Sequence, residues 1–218
     1  MKLFDRFWIV FALLFCVTAS PQTAFASTPA VIFSEIAWAG SSISSSDEWI
    51  ELANTTGDSV DVSGWTITGA GSAGATLTLP ANSAIAPYST YVISNYEYTH
   101  TNSALATKSQ YVTATLSLPN SGFSLYLYDA IGAQIDVGGR DGNPIAGRSG
   151  STAQSLDGRY ASMVRVDGLI AGSETAAWAD AQTSAGFKEG IADFGTPGAL
   201  EVATSAPVNE DAQTTQTN

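Results

Sequence analysis

The chain has 218 residues, of which 44% are hydrophobic and 13% are charged, and its formal net charge is −12. Its single cysteine, Cys16, lies close to the N-terminus, so the rest of the chain has no disulfide, thiolate metal site or cysteine nucleophile. The excess of acidic residues disfavours direct binding to nucleic acid or to anionic lipid, because both require clustered lysine and arginine.

The first 26 residues have the pattern of a signal peptide. Lys2 and Arg6 give a basic start, an apolar run covers residues 7–17, and an A-x-A cleavage pattern ends at Ala26. The run is shorter than the roughly 20 apolar residues of a transmembrane helix. We therefore predict a protein that is secreted or held in the cell envelope, with no membrane span after cleavage. The alternatives are an uncleaved anchor and a lipidated Cys16, although the residue before this cysteine is bulky.

Beyond residue 26, short β-branched and aromatic runs alternate with clusters of Gly, Asn, Asp and Pro, a rhythm typical of an all-β sandwich or barrel. Strands are predicted over residues 30–38, 48–52, 60–68, 75–79, 91–94, 111–118, 123–128, 134–137, 155–156 and 163–166. Within 123–128, Leu125 and Leu127 fall on one face and Tyr126 and Tyr128 on the other. Polar or glycine-rich loops are expected between these strands, and residues 176–183 form a helical turn or an irregular loop.

The chain divides into three predicted parts. Residues 1–26 are the signal peptide, 27–200 form one sandwich domain, and 201–218 form a disordered acidic tail. The tail has too few apolar residues to offset the conformational entropy lost on ordering. No repeat of fixed period is present, which argues against a solenoid or a propeller.

Two segments near the start of the predicted domain carry a specific motif. An early Glu35 is followed by Trp49-Ile50-Glu51-Leu52-Ala53-Asn54 and then by Val60-Asp61-Val62-Ser63-Gly64-Trp65. These segments resemble the opening of a lamin tail domain, a family with an early Glu, a W-I-E-L-x-N strand and a V-x-L-x-G-W strand in that order. Trp178 and Thr196-Pro197-Gly198 resemble its W…T-P-G ending, although the arginine of the late S-L-x-R strand is displaced. The matched positions are Glu35, Glu48, Trp49, Glu51, Asn54, Gly64, Trp65, Pro197 and Gly198.

The resemblance implies an immunoglobulin-like β-sandwich without an active site, in which the motif residues are structural. Bacterial members of the family look like exported modules. The resulting hypothesis is a non-catalytic structural or interaction module that binds a protein or a surface polymer. No cofactor is implied, and the partner itself is not identified.

A carbohydrate-binding module is the first alternative. Trp38, Tyr88, Tyr96 and Tyr98 flank predicted loops, where exposed aromatic rings could stack on sugars. Trp49 and Trp65 lie inside the family strands, so packing is expected there.

A small secreted hydrolase that uses Glu35, Glu48 and Glu51 is the second alternative. Glycosidases need two facing carboxyl groups about 5 to 9.5 Å apart. Glu48 and Glu51 are three residues apart in one strand and therefore point to opposite faces. His100 is the only histidine and there is no G-x-S-x-G motif, so a serine triad is not expected.

A calcium site is a further possibility. Asp136, Asp141 and Asn143 surround a glycine-rich loop, and extracellular sandwiches often bind Ca²⁺ through loop carboxylates. Their spacing matches no strict calcium loop, and turn formation explains the same residues.

Overall fold

The computed structural model describes residues 28–150 and 158–200, which form an all-β fold. In chain order, the strands of the described residues are β1 (Val31–Ala37), β2 (Trp49–Asn54), β3 (Val60–Asp61), β4 (Thr66–Thr68), β5 (Leu77–Thr78), β6 (Ala84–Ile85), β7 (Thr90–Ser94), β8 (Tyr111–Val112), β9 (Phe123–Tyr128), β10 (Gln134–Arg140), β11 (Met163–Arg165) and β12 (Trp178–Asp180). Two short 3₁₀ segments cover Ser72–Gly74 and Thr175–Ala177. Among the described residues there is no helix with the length and apolar character needed to cross a membrane. The predicted signal peptide, the acidic tail and the strand predicted at 155–156 lie outside these residues.

The strands form two main sheets that share one hydrophobic core. The six-stranded sheet has the order β12-β11-β1-β2-β7-β8, and the four-stranded sheet has the order β10-β9-β4-β5. A two-stranded sheet pairs β3 with β6. Neighbouring strands are antiparallel except for β7 and β8, which run parallel. The arrangement confirms the predicted immunoglobulin-like β-sandwich.

Side-chain alternation along β9 shows how the sequence builds this core. Phe123, Leu125 and Leu127 are buried against the facing sheet, whereas Tyr126 and Tyr128 point outward and are half-buried. Successive residues of a strand point to opposite faces, so a strand with one covered face reads as alternating apolar and polar residues. The alternation predicted for this strand is confirmed.

Strand β1 is buried on both faces and shows no such alternation. Its inner face packs in the core, and its outer face lies under two later segments, residues 103–107 and 183–200, which we call the outer cover. Leu105 and Phe187 of the cover pack on Trp49, and Leu200 packs on Ile32. The six-stranded sheet is therefore enclosed from both sides.

The predicted strand over residues 60–68 is wrong as a single element. The chain forms β3 and β4 instead, and these belong to different sheets. Between them Gly64 has φ +72°, and the N–H of Trp65 donates to the carbonyl of Val62. A positive φ of this kind favours glycine, and here it lets the chain cross from one sheet to the other.

Other boundaries also differ from the predictions. The run over 111–118 is a strand only at Tyr111–Val112, and β6 and β12 were not predicted. Strand β10 continues through Gly138 to Arg140, although the sequence indicated a glycine-rich loop. A Cβ at Gly138 would lie 3.0 Å from both Phe33 and Ile36, so the glycine allows the two sheets to pack closely.

Candidate functional site

Glu35 lies at a bulge in β1, and its carboxylate faces the outer cover. The side chain is 1% exposed. The backbone N–H of Thr196 donates to both carboxylate oxygens, at 3.0 and 3.2 Å, and the Thr196 hydroxyl donates at 3.0 Å. The hydroxyl of Ser162 makes a further short hydrogen bond. Glu35 therefore holds the T-P-G segment against the six-stranded sheet.

Glu51 is the cross-strand neighbour of Glu35 and is fully buried. Its Oε1 accepts a hydrogen bond from the Ser34 hydroxyl at 2.8 Å, and its Oε2 accepts one from the backbone N–H of Gly198 at 2.6 Å. Two adjacent carboxyl groups, which we call the carboxylate pair, thus bind successive parts of one cover segment.

The carboxylate pair has an unusual electrostatic setting. Burial is the main cause that raises the pKa of Glu35, and the neighbouring charge of Glu51 raises it further, to about 8. Hydrogen bonds from Ser162 and Thr196 act in the opposite direction, because they favour the ionised form. At neutral pH the Glu35 side chain therefore keeps its proton.

Two further acids precede β2 and bind other loops. The backbone N–H of Leu118 donates to Oε2 of Glu48 at 2.9 Å, and the N–H of Ala104 donates to Oδ2 of Asp47 at 2.6 Å. Burial raises the pKa of Glu48 to about 7 and also raises the pKa of Asp47. Each carboxyl group fixes a segment more than fifty residues away.

Asn54 ends the W-I-E-L-x-N strand and closes the adjoining turn. Its fully buried amide donates to the carbonyls of Asp58, Ile85 and Ala86 at 2.7, 3.1 and 3.0 Å. Its side-chain carbonyl accepts from the N–H and the hydroxyl of Thr56. One amide therefore joins the six-stranded sheet to the β3–β6 sheet.

The remaining motif residues lie in packed or turn positions. Trp49 and Trp65 are 2% and 9% exposed and belong to the hydrophobic clusters. The carbonyl of Pro197 accepts a hydrogen bond from the Thr107 hydroxyl, and Gly198 has φ +89°. The motif thus builds the sandwich and attaches its cover.

The three glutamates do not form an accessible acid–base pair. Glu35 and Glu51 lie side by side, but both are buried under the outer cover and bound by backbone N–H groups. Glu48 is bound separately by Leu118. A glycosidase needs two carboxyl groups that face a substrate, and this arrangement leaves no room for one. The hydrolase alternative is therefore not supported by the geometry.

The four aromatic residues expected to bind sugars do not form one surface. Trp38 is 7% exposed and its indole N–H donates to the carbonyl of Ala146, so the expectation of a loop aromatic open to solvent is wrong. Tyr88 is 55% exposed and precedes β7, whereas Tyr96 and Tyr98 follow it. A five-residue strand is about 17 Å long, so these tyrosines lie at opposite ends of the sheet.

The two tyrosines after β7 have local partners. Tyr96 stacks on His100 with ring centroids 4.7 Å apart, and Tyr98 packs on the cluster around Trp49. His100 is exposed, and its Nδ1 accepts a hydrogen bond from the N–H of Asn102. These contacts, a stacked ring and a hydrogen bond within the loop, are those of a structural turn.

The residues expected to bind calcium do not converge. Asp136 faces the core, where it accepts from the N–H of Phe33 at 2.9 Å and pairs with Arg165 at 3.2 Å. The Asp141 carboxylate accepts a hydrogen bond from the Ser124 hydroxyl on β9. Ser124 points to the opposite face of β9 from Leu127, the cross-strand neighbour of Asp136. Ser124 and Leu127 are three residues apart, which is about 10 Å along the strand. Asn143 is exposed in the loop that follows β10, and its side chain makes no hydrogen bond among the described residues. Burial of Asp136 explains why the set does not assemble, and the described residues contain no group of three or more His, Cys, Asp or Glu placed to hold a metal.

Asp136 and Arg165 form a buried ion pair that was not predicted from the sequence. Their side chains are 5% and 1% exposed. Arg165 also donates to the carbonyl of Ile170 at 2.7 Å and lies 5.1 Å from the ring of Trp178. An arginine within the apolar run of β11 was the available signal, since a charged residue at an inward position needs a buried partner.

Comparison with known proteins agrees with this architecture. The family model described as Lamin Tail Domain matches residues 24–141, more than half of the chain. No curated protein is similar enough to the chain to count as a relative. The match includes Glu35, Glu48, Glu51 and Asn54, and it ends before the T-P-G segment that the two buried glutamates bind. The chain belongs to the lamin tail domain family, whose members are non-catalytic immunoglobulin-like modules.

Proposed function

We propose that the protein is an exported, non-catalytic module that binds a protein or a polymer at the cell surface or outside the cell. The observation that carries the proposal is the use of Glu35, Glu48 and Glu51 as acceptors for backbone N–H groups of distant segments. The carboxyl groups of the motif are hydrogen-bonded to the backbone and stabilise the sandwich. Such a scaffold supplies rigid outer surfaces rather than a reaction centre.

Export is supported by the N-terminal pattern of basic start, apolar run and A-x-A site. The test is expression of the full chain with a C-terminal tag in a bacterial host, followed by fractionation and mass measurement of the N-terminus. We expect a product that begins at Ser27 outside the cytoplasm. In the matched control, Ala26→Arg should abolish the cleavage. Unprocessed wild-type chain in the cytoplasm would contradict export.

Binding is tested with the processed protein and an envelope fraction of its native organism. We expect saturable co-sedimentation that survives washing, together with no turnover of chromogenic glycoside and ester substrates. Failure of the folded protein to sediment would overturn the interaction role. Turnover that disappears in Glu48→Gln would restore the hydrolase alternative.

A carbohydrate-binding module is the second candidate. It is favoured by the paired tyrosines that β9 places on the outside of the four-stranded sheet.

A further inference from the structure

The outer face of the four-stranded sheet carries hydroxyl and aromatic side chains in register. Thr78, Thr66 and Tyr128 are cross-strand neighbours in one row, and Thr68 and Tyr126 are neighbours in the next. Residues paired across antiparallel strands point to the same side of a sheet. Together these five residues form a continuous surface over β5, β4 and β9, which we call the threonine–tyrosine face.

None of the hydroxyl groups on this face has a hydrogen-bond partner among the described residues. Many other hydroxyls of the chain are bonded, for example those of Thr55, Thr56 and Thr196, which donate to oxygen acceptors at 2.6 to 3.0 Å. A threonine or tyrosine hydroxyl both donates and accepts. The face therefore presents five hydroxyl groups, and each can donate a hydrogen bond to a hydroxyl of a ligand or accept one from it.

The two tyrosines lie side by side on β9. Their ring centroids are 6.5 Å apart and the rings are tilted by 31°. Both side chains are half-buried, and neither belongs to a hydrophobic core cluster, so the rings do not serve the interior. A tyrosine offers an apolar ring for stacking and a polar end for a hydrogen bond.

The five residues of the face are uncharged, in a chain whose net charge is −12, and Asp141 lies at its border, where it accepts a hydrogen bond from Ser124 on the same side of β9. In the row that holds Tyr126 the neighbour on β10 is Val137, and in the row that holds Tyr128 it is Gln134. An anionic polymer would be repelled by Asp141 and by the surrounding acidic protein, and the two rows themselves offer no carboxylate to a cationic polymer. Protein interfaces usually centre on several apolar anchors and arginine, whereas Val137 is the one aliphatic side chain in these two rows.

We propose that the threonine–tyrosine face binds an uncharged polysaccharide laid across β4 and β9. The inference rests on the proposed function and names its ligand class. A pyranose ring presents C–H groups on its flat side and hydroxyl groups around its edge, which matches stacking on Tyr126 and Tyr128 and bonding to the flanking threonines. An open sheet surface three strands wide accepts an extended chain rather than enclosing a single small molecule.

The experiment measures binding of cellohexaose, laminarihexaose and mannohexaose to the processed protein by titration calorimetry, with hexagalacturonate as the anionic comparator. We expect saturable binding of at least one neutral hexamer and none of the acidic one. Tyr126→Ala with Tyr128→Ala should weaken binding by about tenfold or more. Thr66→Val with Thr68→Val keeps shape and strand propensity and should weaken it about two- to tenfold per hydroxyl.

Tyr88→Ala is the matched control, because Tyr88 is exposed but lies away from this face. It should leave the affinity unchanged, and thermal unfolding should show that every variant is folded. Absence of neutral glycan binding by the folded wild type, or binding that survives the double tyrosine substitution, would overturn the inference. Envelope binding that depends on Tyr126 and Tyr128 without any glycan affinity would support the interaction module and identify a protein partner instead. A folded wild type that binds neither the envelope fraction nor any neutral hexamer would overturn both proposals.

Discussion

Replacing Glu35 with glutamine tests the electrostatics of the carboxylate pair. The pKa of Glu35 is raised from 4.5 to about 8, mainly by burial and secondarily by the charge of Glu51. One pKa unit corresponds to about 1.4 kcal/mol, so the shift corresponds to about 5 kcal/mol as an upper bound. This is a large part of the total stability of an ordinary domain, which is about 5 to 15 kcal/mol.

The sign follows from the proton balance. Between pH 4.5 and 8 the folded protein keeps the proton on Glu35, whereas the unfolded chain has released it. The free energy of unfolding therefore falls as the pH rises through this window, and the stability is fully present only below pH 4.5. The glutamine in Glu35→Gln has no proton to lose. The free energy of unfolding of the wild type should therefore fall by up to about 1.4 kcal/mol per pH unit relative to that of the variant.

The glutamine variant should be slightly less stable than the wild type at pH 5. The cost is about 1 kcal/mol, because an amide nitrogen replaces one of the oxygens that accept from Thr196 and Ser162. At pH 8.5 the order should be reversed, with the variant about 2 to 4 kcal/mol more stable. Glu48 titrates with a pKa of about 7 in both proteins, so its contribution cancels in the difference.

Urea denaturation followed by tryptophan fluorescence at pH 5, 6, 7 and 8.5 measures this difference directly. The control is Glu174→Gln, which removes one carboxyl group from an exposed position and corrects for the change in net charge. Its stability should follow that of the wild type at every pH. Parallel curves for the wild type and Glu35→Gln would refute the reasoning, since they would mean that Glu35 titrates alike in the folded and unfolded states.

Four further substitutions test other parts of the scaffold by urea denaturation at pH 7. Asp136→Ala leaves the Arg165 guanidinium buried without its countercharge and should lower the free energy of unfolding by about 3 to 5 kcal/mol. Asp180→Ala breaks the more exposed ion pair with Arg148 and should lower it by about 1 kcal/mol. Equal losses would contradict the role of burial. Asn54→Ala removes an amide nitrogen that lies within hydrogen-bond distance of three carbonyls and should cost about 2 to 4 kcal/mol, and an unchanged urea midpoint would contradict its role in joining the sheets. Gly138→Ala places a methyl group 3.0 Å from two core side chains and should cost about 1 to 3 kcal/mol, and an unchanged midpoint would show that the sheets can separate slightly.

The sequence predicted the fold class well because its signals are local. In β9 the alternation of leucine and tyrosine indicates which face is buried, and this prediction needs no information about distant residues. The error over residues 60–68 has the opposite origin. Both halves have strand-forming residues, and the positive φ at Gly64 divides them between two sheets. Glycine permits that conformation without requiring it, so the crossing was not visible in the residue types.

The binding surface was harder to predict because exposure depends on the whole fold. Trp38 follows a strand and precedes a serine-rich loop, which looked like an accessible position. In the structure the loop at Ala146 folds back and accepts its indole N–H. Tyr126 and Tyr128 were placed correctly on the face opposite to the core, but nothing in the strand itself showed that Thr66 and Thr68 lie beside them. That neighbourhood depends on the register between β4 and β9, two strands that are far apart in sequence.

The same dependence on distant partners explains the glutamates. Glu48 and Glu51 bind different segments, and their separation was predictable because it needs only the period of a strand. The proximity of Glu35 and Glu51 depends on the register of β1 and β2, and the identity of their donors depends on where Thr196 and Gly198 return. Buried carboxyl groups require such donors. The early Glu and W-I-E-L motif and the late T-P-G motif are therefore two halves of one interaction, with the acceptors near the start of the domain and the donors near residue 200.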